Sequence, residues 1–217
     1  MNEHKQQFIQ FAIQQNALQF GKFTLKSGRV SPYFYNARLF NTGTALSLIG
    51  KIYAQTIVDA NLQYDMLFGP AYAGIPLTCA TAIRLAQSGH NTPFCFNRKE
   101  PKDHGEGGTL VGAPLQGKVL IIDDVITAGT AFRESLSLLE QCHAEPAGLV
   151  VQFDRQERGQ TQYSVIQEIK QQYKIPVLSM ITLQDMITFL SLDAANQPHI
   201  KAIEQYCQQY GAEPGLI

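Results

Sequence analysis

The sequence predicts a single α/β domain, with a mostly parallel central sheet flanked by helices. Its 217 residues, 45% of them apolar, are enough to bury one substantial core. Short apolar runs typical of buried strands alternate along the chain with amphipathic patterns typical of helices. Several of these runs end in polar or glycine-bearing segments, the position at which parallel α/β sheets place their ligand contacts. Together these observations favour one doubly wound domain over residues 1–217.

The N-terminal part of the chain predicts a helix, a hairpin and a second helix. Residues 4–18 place apolar side chains at helical spacing among glutamines. Residues 20–36 alternate apolar and polar positions around a Ser-Gly-Arg turn, which indicates a hairpin or two short strands. Residues 42–60 form the next predicted helix, with Asn41 or Thr42 as its cap.

The remainder of the chain alternates strands with helices. Predicted strands are residues 66–70, 92–97, 119–122, 147–153 and 177–182. Predicted helices are residues 75–87, 131–141, 161–173, 184–190 and 197–210. Strands separated by helices imply right-handed crossovers in a parallel sheet, and the chain contains no internal repeats.

Residues 118–130, with the sequence KVLIIDDVITAGT, are the most informative stretch. A buried apolar strand ends at Asp123 and Asp124, and buried carboxylates are costly unless they have partners. A glycine and two hydroxyls then open a helix, where backbone N–H groups and the helix dipole favour an anion. The pattern predicts a ligand that has both sugar hydroxyls and a phosphate. The alternative is a strand with an acidic edge and an ordinary capped helix.

Two further segments favour anion binding. Residues 69–76 (GPAYAGIP) form a strand–loop–helix junction, a second candidate anion cradle. Residues 98–108 (RKEPKDHGEGG) contain three cations, His104 and three glycines, with proline as the one apolar residue. We expect these residues to form an exposed, mobile loop that acts either as a lid or as a plain solvated linker.

Aromatic and cationic residues near the N terminus and after residue 153 predict a second half of the site. Phe34 and Tyr35 offer a flat face for a planar ring, and Lys26 can reach a phosphate. The alternative places Phe34 in the core and leaves Lys26 solvated. Arg155 follows a predicted strand end, and its planar fork suits a ligand carboxylate or imide. Otherwise Arg155 is a surface arginine in an ion pair.

Composition excludes several classes of function. The net charge of −1 gives no general attraction to nucleic acid or to an anionic membrane. Four cysteines lie far apart without a CxxC pair, which argues against a zinc site and for free thiols. The N terminus contains no apolar run of signal-peptide type, and no stretch approaches the length of a membrane span. We therefore expect a cytoplasmic protein with neither nucleic-acid nor membrane partners.

Residues 118–130 closely resemble the phosphoribosyl pyrophosphate motif of the type I phosphoribosyltransferases. Residues 23–34, 97–108 and 154–159 resemble one branch of that family, the bacterial orotate phosphoribosyltransferases. The resemblance implies the type I fold, with a small hood formed mainly by about residues 1–40. It implies Mg²⁺-dependent transfer of ribose 5-phosphate from phosphoribosyl pyrophosphate to orotate, giving orotidine 5′-monophosphate and pyrophosphate in pyrimidine biosynthesis. It also implies a homodimer with shared active sites.

The resemblance also implies a role for particular residues. Asp123 and Asp124 would face the ribose hydroxyls, while Lys26 and Tyr72 would lie near the pyrophosphate. The 5′-phosphate would be held by Thr127, Ala128, Gly129, Thr130 and Ala131. The pyrophosphate would be reached from the partner chain by Arg98, Lys99, Lys102 and His104. Orotate would be contacted by Phe34, Tyr35 and Arg155.

The sequence departs from the resemblance at Ala73, where the family usually has a lysine. A lysine there would offer a cation to the pyrophosphate, so we expect this chain to use phosphoribosyl pyrophosphate less well than a relative with the lysine. Ala73 also favours a different class of function, a phosphoribosyl pyrophosphate-sensing regulator with the same fold and no turnover. A third hypothesis keeps the enzyme and replaces orotate with a purine base.

Overall fold

A computed structural model describes residues 1–25, 27–102, 108–126, 129–159 and 161–213, without the side chains of residues 101 and 102. The helices are α1 Glu3–Gln14, α2 Gly43–Asp59, α3 Gly74–Gln87, α4 Thr130–Gln141, α5 Val165–Tyr173, α6 Leu183–Leu190 and α7 Gln197–Tyr210. The strands are β1 Leu18–Thr24, β2 Val30–Tyr35, β3 Met66–Gly69, β4 Phe94–Lys102, β5 Gly108–Gly112, β6 Lys118–Ile122, β7 Glu145–Asp154 and β8 Val177–Thr182. Short 3₁₀ turns occupy Ala37–Leu39 and Ala194–Asn196.

The central sheet has six strands in the order β5-β4-β3-β6-β7-β8. All neighbouring pairs are parallel except β4 and β5, so the predicted mostly parallel sheet is confirmed. The chain builds outward from β3 to β5, then returns to the centre and builds outward from β6 to β8. The reversal between β3 and β6 is a topological switch point, the place at which open α/β sheets bind their ligands.

The sheet is buried on both faces by two apolar clusters. On one face, Leu120 and Ile122 of β6 pack with residues of α1, α2, α3, α6 and the N-terminal hairpin. On the other face, Val119 and Ile121 pack with residues of α4 and α5. All four side chains are fully buried, as the unbroken apolar run predicted. The acidic residues that follow β6 are therefore held by a rigid element.

The N-terminal hairpin, β1 and β2, forms a separate two-stranded antiparallel sheet. Its β2 strand alternates faces, with Tyr33 and Tyr35 buried and Phe34 37% exposed. The prediction of a helix over residues 4–18 was wrong at its C-terminal end. Helix α1 ends at Gln14, and Asn16 adopts a left-handed conformation with φ 54°, which asparagine tolerates better than most residues. Leu18 then begins β1.

The prediction of a loop over residues 98–108 was wrong for its two ends. Strand β4 continues through Lys102, and β5 begins at Gly108, which pairs with Lys102. A strand at the edge of a sheet is held by backbone hydrogen bonds and does not require apolar side chains. The polar composition of this segment therefore did not prevent strand pairing. Residues 103–107, with the remainder of the predicted lid, lie outside the described residues.

Capping interactions set the starts of two other helices. Helix α5 begins at Val165 and not at residue 161, because Ser164 and Gln167 form a reciprocal capping box there. Helix α2 begins after Thr42, whose side chain accepts the N–H of Ala45 as predicted. Within the described ranges, no helix is long and apolar enough to cross a bilayer.

Candidate active site

The loops after β3 and β6 meet closely at the switch point. A Cβ atom on Gly74 would lie 2.7 Å from the carbonyl oxygen of Ile122 and 2.6 Å from Cδ of Pro70. A Cβ atom on Gly69 would lie 2.6 Å from Oγ1 of Thr78. Only glycine therefore allows this approach. The sequence placed a candidate anion loop after each strand, and the structure brings the two loops together.

Asp123 and Asp124 stand at the end of β6, inside this crevice. Each carboxylate accepts the N–H of the next residue through Oδ1, at 2.9 Å from Asp124 N and 2.6 Å from Val125 N. Neither forms an ion pair with another described residue. Asp123 is 8% exposed, so its negative charge is both buried and uncompensated by a cation of the described chain.

Burial shifts the titration of both carboxylates. It raises the pKa of Asp123 to about 7, and the charge of Asp124 raises that pKa further, while the Asp124 N–H opposes the shift. Burial also raises the pKa of Asp124, against the effects of the Val125 N–H and of the positive charge of Arg38. A ligand with hydroxyl donors or positive charge would favour the ionised forms of both groups.

Sequence reasoning missed Arg38. This exposed arginine lies in the 3₁₀ turn directly after β2, within electrostatic reach of Asp124. Its N–H is held by the side chain of Asn36, which fixes the turn. Residues 38 and 124 are far apart in sequence, and only the packing of the hairpin on the sheet brings them together. No local pattern could have identified this cation.

Helix α4 supplies the candidate phosphate site. Gly129 precedes its first residue in a left-handed conformation, with φ 70°, and no side chain caps the helix start. Gly129, Thr130 and Ala131 line a cavity of about 290 Å³ that also contacts Asp123. The uncapped N–H groups of α4 therefore open onto the same space as Asp123. Thr127 and Ala128 lie outside the described residues.

Lys99 lines this cavity from its own chain. Its Nζ lies 3.5 Å from Oε2 of Glu134, at the start of α4, and both side chains are about half exposed. Strand β4 continues far enough to bring Lys99 to the cavity of its own subunit, and its action from a partner chain stays a prediction. The Nη1 atom of Arg98 is buried without a hydrogen-bond partner among the described residues. Side-chain positions of Lys26, Lys102 and His104 are outside the described set.

The loop after β3 forms the other wall of the crevice. Tyr72 is 70% exposed, and Ala73, also exposed, immediately precedes helix α3. The peptide bond between Ala71 and Tyr72 is cis. Asn97 of β4 accepts the N–H of Ala71 through Oδ1 at 2.8 Å, a contact that sequence reasoning did not identify. A side chain at position 73 projects from a loop that is anchored on both sides.

Phe34 and Tyr35 are separated by the structure. The exposed ring of Phe34 stacks on Phe23, with ring centroids 5.5 Å apart and planes inclined by 27°. The ring of Tyr35 lies in the core against Phe153, and its hydroxyl donates to Gln152. The expectation that both rings form one flat face is therefore wrong, because adjacent residues of a strand point to opposite faces. Phe34 alone can stack on a planar ligand.

Arg155 is held in place before any ligand arrives. Its Nε and Nη2 atoms donate to Oε1 of Glu157 at 3.0 and 2.7 Å, and its guanidinium lies 5.0 Å from the ring centre of Tyr33. Burial lowers the pKa of Arg155, but Tyr33 and Glu157 outweigh this effect and raise it, so the charge persists. The ion-pairing alternative is thus present in the structure, with Glu157 as a partner that the sequence did not reveal.

Comparison with known proteins agrees with this geometry. The sequence profile of the phosphoribosyl transferase domain matches residues 36–177. An orotate phosphoribosyltransferase of Marinobacter nauticus is 54% identical over 211 residues, which cover 97% of this chain and all of the relative. Another, of Hahella chejuensis, is 55% identical over 214 residues, covering 98% of this chain and all of the relative.

The chain belongs to the orotate phosphoribosyltransferase family. A crystal structure of an orotate phosphoribosyltransferase of Francisella tularensis has a TM-score of 0.88 and 44% identity, covering 95% of this chain and all of that one. An orotate phosphoribosyltransferase of Mycobacterium tuberculosis in complex with phosphoribosyl pyrophosphate, at 18% identity and a TM-score of 0.62, adds similarity of fold alone. It covers 85% of this chain and 99% of that one. The predicted family and type I fold are confirmed.

Proposed function

We propose that the chain transfers ribose 5-phosphate from phosphoribosyl pyrophosphate to N1 of orotate, giving orotidine 5′-monophosphate and pyrophosphate for pyrimidine biosynthesis. The observation that carries this proposal is the buried Asp123, first of the two adjacent acidic residues, which lines the same cavity as the uncapped start of α4. Membership of the orotate phosphoribosyltransferase family supports orotate as the acceptor. The cytoplasm is the proposed location.

The reaction requires the kind of charge that this cavity supplies. The C1–N1 bond forms as the bond from C1 to the pyrophosphate oxygen breaks; the leaving pyrophosphate takes the electron pair, and the proton of orotate N1 passes to solvent. Positive charge develops on the ribose ring, and negative charge develops on the leaving group. Carboxylates at Asp123 and Asp124 stabilise the ring charge and accept hydrogen bonds from the ribose hydroxyls, while Lys99 and the N–H groups of α4 bind phosphates.

The acceptor side would orient orotate. Phe34 offers a ring face for stacking, and Arg155 keeps a charged guanidinium close to the hairpin. Orotate has both a planar ring and a carboxylate, which suits this pair of side chains better than a purine does. In this proposal the N-terminal part, about residues 1–40, acts as a hood over the acceptor.

The residues fit a magnesium ion that is shared with the substrate. Among the described residues, no group of three or more His, Cys, Asp or Glu side chains could hold a metal. Mg²⁺ prefers oxygen ligands and is often bound by one or two carboxylates together with substrate phosphates. Asp123 and Asp124 could provide such carboxylates, and the bound ion would neutralise charge on the leaving pyrophosphate.

The proposed enzyme is a homodimer in which the tip of the β4–β5 hairpin reaches the neighbouring site. Arg98, Lys102 and His104 are the residues proposed to act across subunits. Support comes from the three cations at residues 98–102, where strand β4 extends beyond its pairing with β3. Closure of this hairpin would exclude water, which otherwise competes with orotate as nucleophile.

A turnover assay tests the proposal against both alternatives. The protein is incubated with phosphoribosyl pyrophosphate and Mg²⁺, together with orotate, adenine or hypoxanthine in parallel reactions. We expect orotate absorbance to fall with equimolar release of pyrophosphate, and no release with either purine. Turnover of a purine alone would contradict the assignment of the acceptor. Binding of phosphoribosyl pyrophosphate without turnover would instead support the sensor that Ala73 favours.

A further inference from the structure

Gln152 is an uncharged polar residue in the most buried part of strand β7. It is 1% exposed and lies between Val151 and Phe153, which are equally buried. Burying an amide costs free energy unless its donors and acceptor are hydrogen-bonded. The partners of Gln152 therefore indicate why a polar side chain is placed there, and they lead to both sides of the candidate active site.

The side chain of Gln152 joins two tyrosines from different elements. Its Oε1 accepts the hydroxyl of Tyr35, on β2, and its side chain lies close enough to the hydroxyl of Tyr53, on α2, to lower the pKa of that tyrosine against the effect of burial. Tyr35 is 8% exposed and Tyr53 is fully buried. Burial first, and the nearby charge of Asp124 in addition, raise the pKa values of both tyrosines well above the ordinary value, so both remain neutral donors.

Both carbonyl groups of the acidic pair are held through this residue. The hydroxyl of Tyr53 donates to the carbonyl oxygen of Asp123 at 2.6 Å. The backbone N–H of Gln152 donates to the carbonyl oxygen of Asp124 at 2.8 Å. Gln152 thus acts on the Asp123 carbonyl through Tyr53, which its side chain adjoins, and on the Asp124 carbonyl directly. The backbone that aims the two carboxylates is thus fixed from behind by one residue.

The same side chain fixes the acceptor side. Tyr35 follows the exposed Phe34 in β2, so the bond from Tyr35 to Gln152 ties the strand that presents Phe34 to strand β7. Gln152 therefore connects the strand that presents Phe34 with the turn that presents Asp123 and Asp124. Displacements of about 1 Å between reacting groups cost large factors in rate.

We propose that Gln152 is a positioning residue, which holds the acceptor-presenting strand β2 and the acidic turn after β6 in the relative placement needed for transfer. This inference rests on the proposed function and deepens it. It predicts that the hydrogen bonds of Gln152, and not only its volume, govern the rate of transfer. A buried polar network of this kind specifies one arrangement when every member is paired.

Gln152→Met and Tyr35→Phe test the proposal, because they remove hydrogen-bonding atoms with little change of volume. We expect each variant to lower kcat about tenfold or more, with a smaller change in KM for phosphoribosyl pyrophosphate. Since both remove the same bond, the double variant should be less than multiplicatively slower. Thr81→Val is the matched control: Thr81 is fully buried, and its hydroxyl bonds only Leu77 O, in its own helix.

Thermal unfolding and steady-state kinetics are measured for all variants and the parent. Thr81→Val should be less stable than the parent with parental kcat. If Gln152→Met and Tyr35→Phe are also destabilised but keep parental kcat, Gln152 is merely structural and the proposal is overturned. Should Gln152→Met fail to fold, Tyr35→Phe, which removes one oxygen atom, gives the decisive kcat. A parent that does not convert orotate is a separate result: it refutes the proposed function, and the inference with it.

Discussion

The two halves of the candidate site differ in how their charges are compensated. In the donor half, Asp123 and Asp124 form no ion pair with described residues, and burial raises the pKa of Asp123 to about 7. In the acceptor half, Arg155 is already bonded to Glu157, which also accepts the hydroxyls of Tyr33 and Tyr206 at 2.6 and 3.1 Å. Among the described residues, the carboxylates of the donor half form no ion pair, whereas the guanidinium of the acceptor half is already paired.

This difference indicates what each half contributes to the reaction. An uncompensated buried pair is unfavourable in the free protein and becomes favourable as positive charge develops on the ribose ring. A guanidinium that is already fixed gains little new charge pairing from orotate, but it loses little conformational entropy on binding. We therefore expect the donor half to govern kcat and the acceptor half to govern selection of orotate.

The largest expected effect is that of Asp124→Asn. The substitution keeps the shape and the oxygen that accepts the Val125 N–H, but it removes the negative charge. We expect kcat to fall about 100-fold or more, because the developing ring charge loses its counter-charge. Steady-state kinetics with orotate measure the effect. Asp65→Asn is the matched control, since Asp65 accepts the Lys118 N–H at the opposite end of β6. Parental kcat in Asp124→Asn would refute the role of the pair.

Arg155→Gln should impair the acceptor half, and with it the use of orotate. The substitution removes the guanidinium proposed to contact orotate and leaves the orotate carboxylate uncompensated. We therefore expect kcat/KM for orotate to fall by about 30-fold or more. KM for phosphoribosyl pyrophosphate should change much less. Arg158→Gln provides the control from the same segment, because Arg158 is exposed and donates to Gln209 O, away from Phe34. Equal losses for both substrates in Arg155→Gln would remove the distinction between the halves.

Stability should reveal the strain in the donor half. Burial raises the pKa of Asp123 from 3.8 to about 7, so the folded chain keeps a proton that the unfolded chain has lost. The free energy of unfolding therefore falls as pH rises from about 4 to about 7. Asparagine is neutral throughout, so ligand-free Asp123→Asn should exceed the parent in stability at pH 8, by at most about 4 kcal/mol.

Thermal unfolding at pH 4 and pH 8 measures this difference. The advantage of Asp123→Asn should be present at pH 8 and much smaller at pH 4, where the parent carboxyl is protonated in the folded state. An equal difference at both pH values would show that the effect has another cause. Asp65→Asn again serves as the control, because Asp65 is exposed and contacts the opposite end of β6.

The smallest expected effect is that of Ala73→Lys. Position 73 is exposed, at the start of α3, and a lysine there adds a cation to the wall of the crevice. Exposed charge pairs contribute up to about 1 kcal/mol, so KM for phosphoribosyl pyrophosphate should fall about two- to fivefold at low salt. Unchanged kcat and KM would refute the idea that the site lacks a useful cation.

Sequence reasoning succeeded where the relevant residues are neighbours in the chain. Strand β6, the acidic pair and helix α4 follow one another, so their arrangement could be inferred from a short pattern. The hairpin and the parallel sheet were predicted from local alternation and from the order of the elements. Where local chemistry decides a boundary, as at Asn16 and Ser164, the predicted ends moved by a few residues.

The contacts that complete the site could not be predicted, because they join residues that are far apart in the chain. Arg38 acts on Asp124, and Gln152 bonds Tyr35, across separations that only the folded sheet closes. The alternation of side chains in β2 was sufficient to predict that Tyr35 and Phe34 point to opposite faces. A buried Gln152 inside an apolar strand was also visible in the sequence as an anomaly.

Binding of phosphoribosyl pyrophosphate to Asp124→Asn and Arg155→Gln tests the division between the halves most directly. Each variant and the parent are titrated calorimetrically with phosphoribosyl pyrophosphate and Mg²⁺, without orotate. The account predicts that Asp124→Asn binds at least about tenfold more weakly than the parent, while Arg155→Gln stays within about threefold of it. Equal weakening in both variants, or a loss confined to Arg155→Gln, would contradict it.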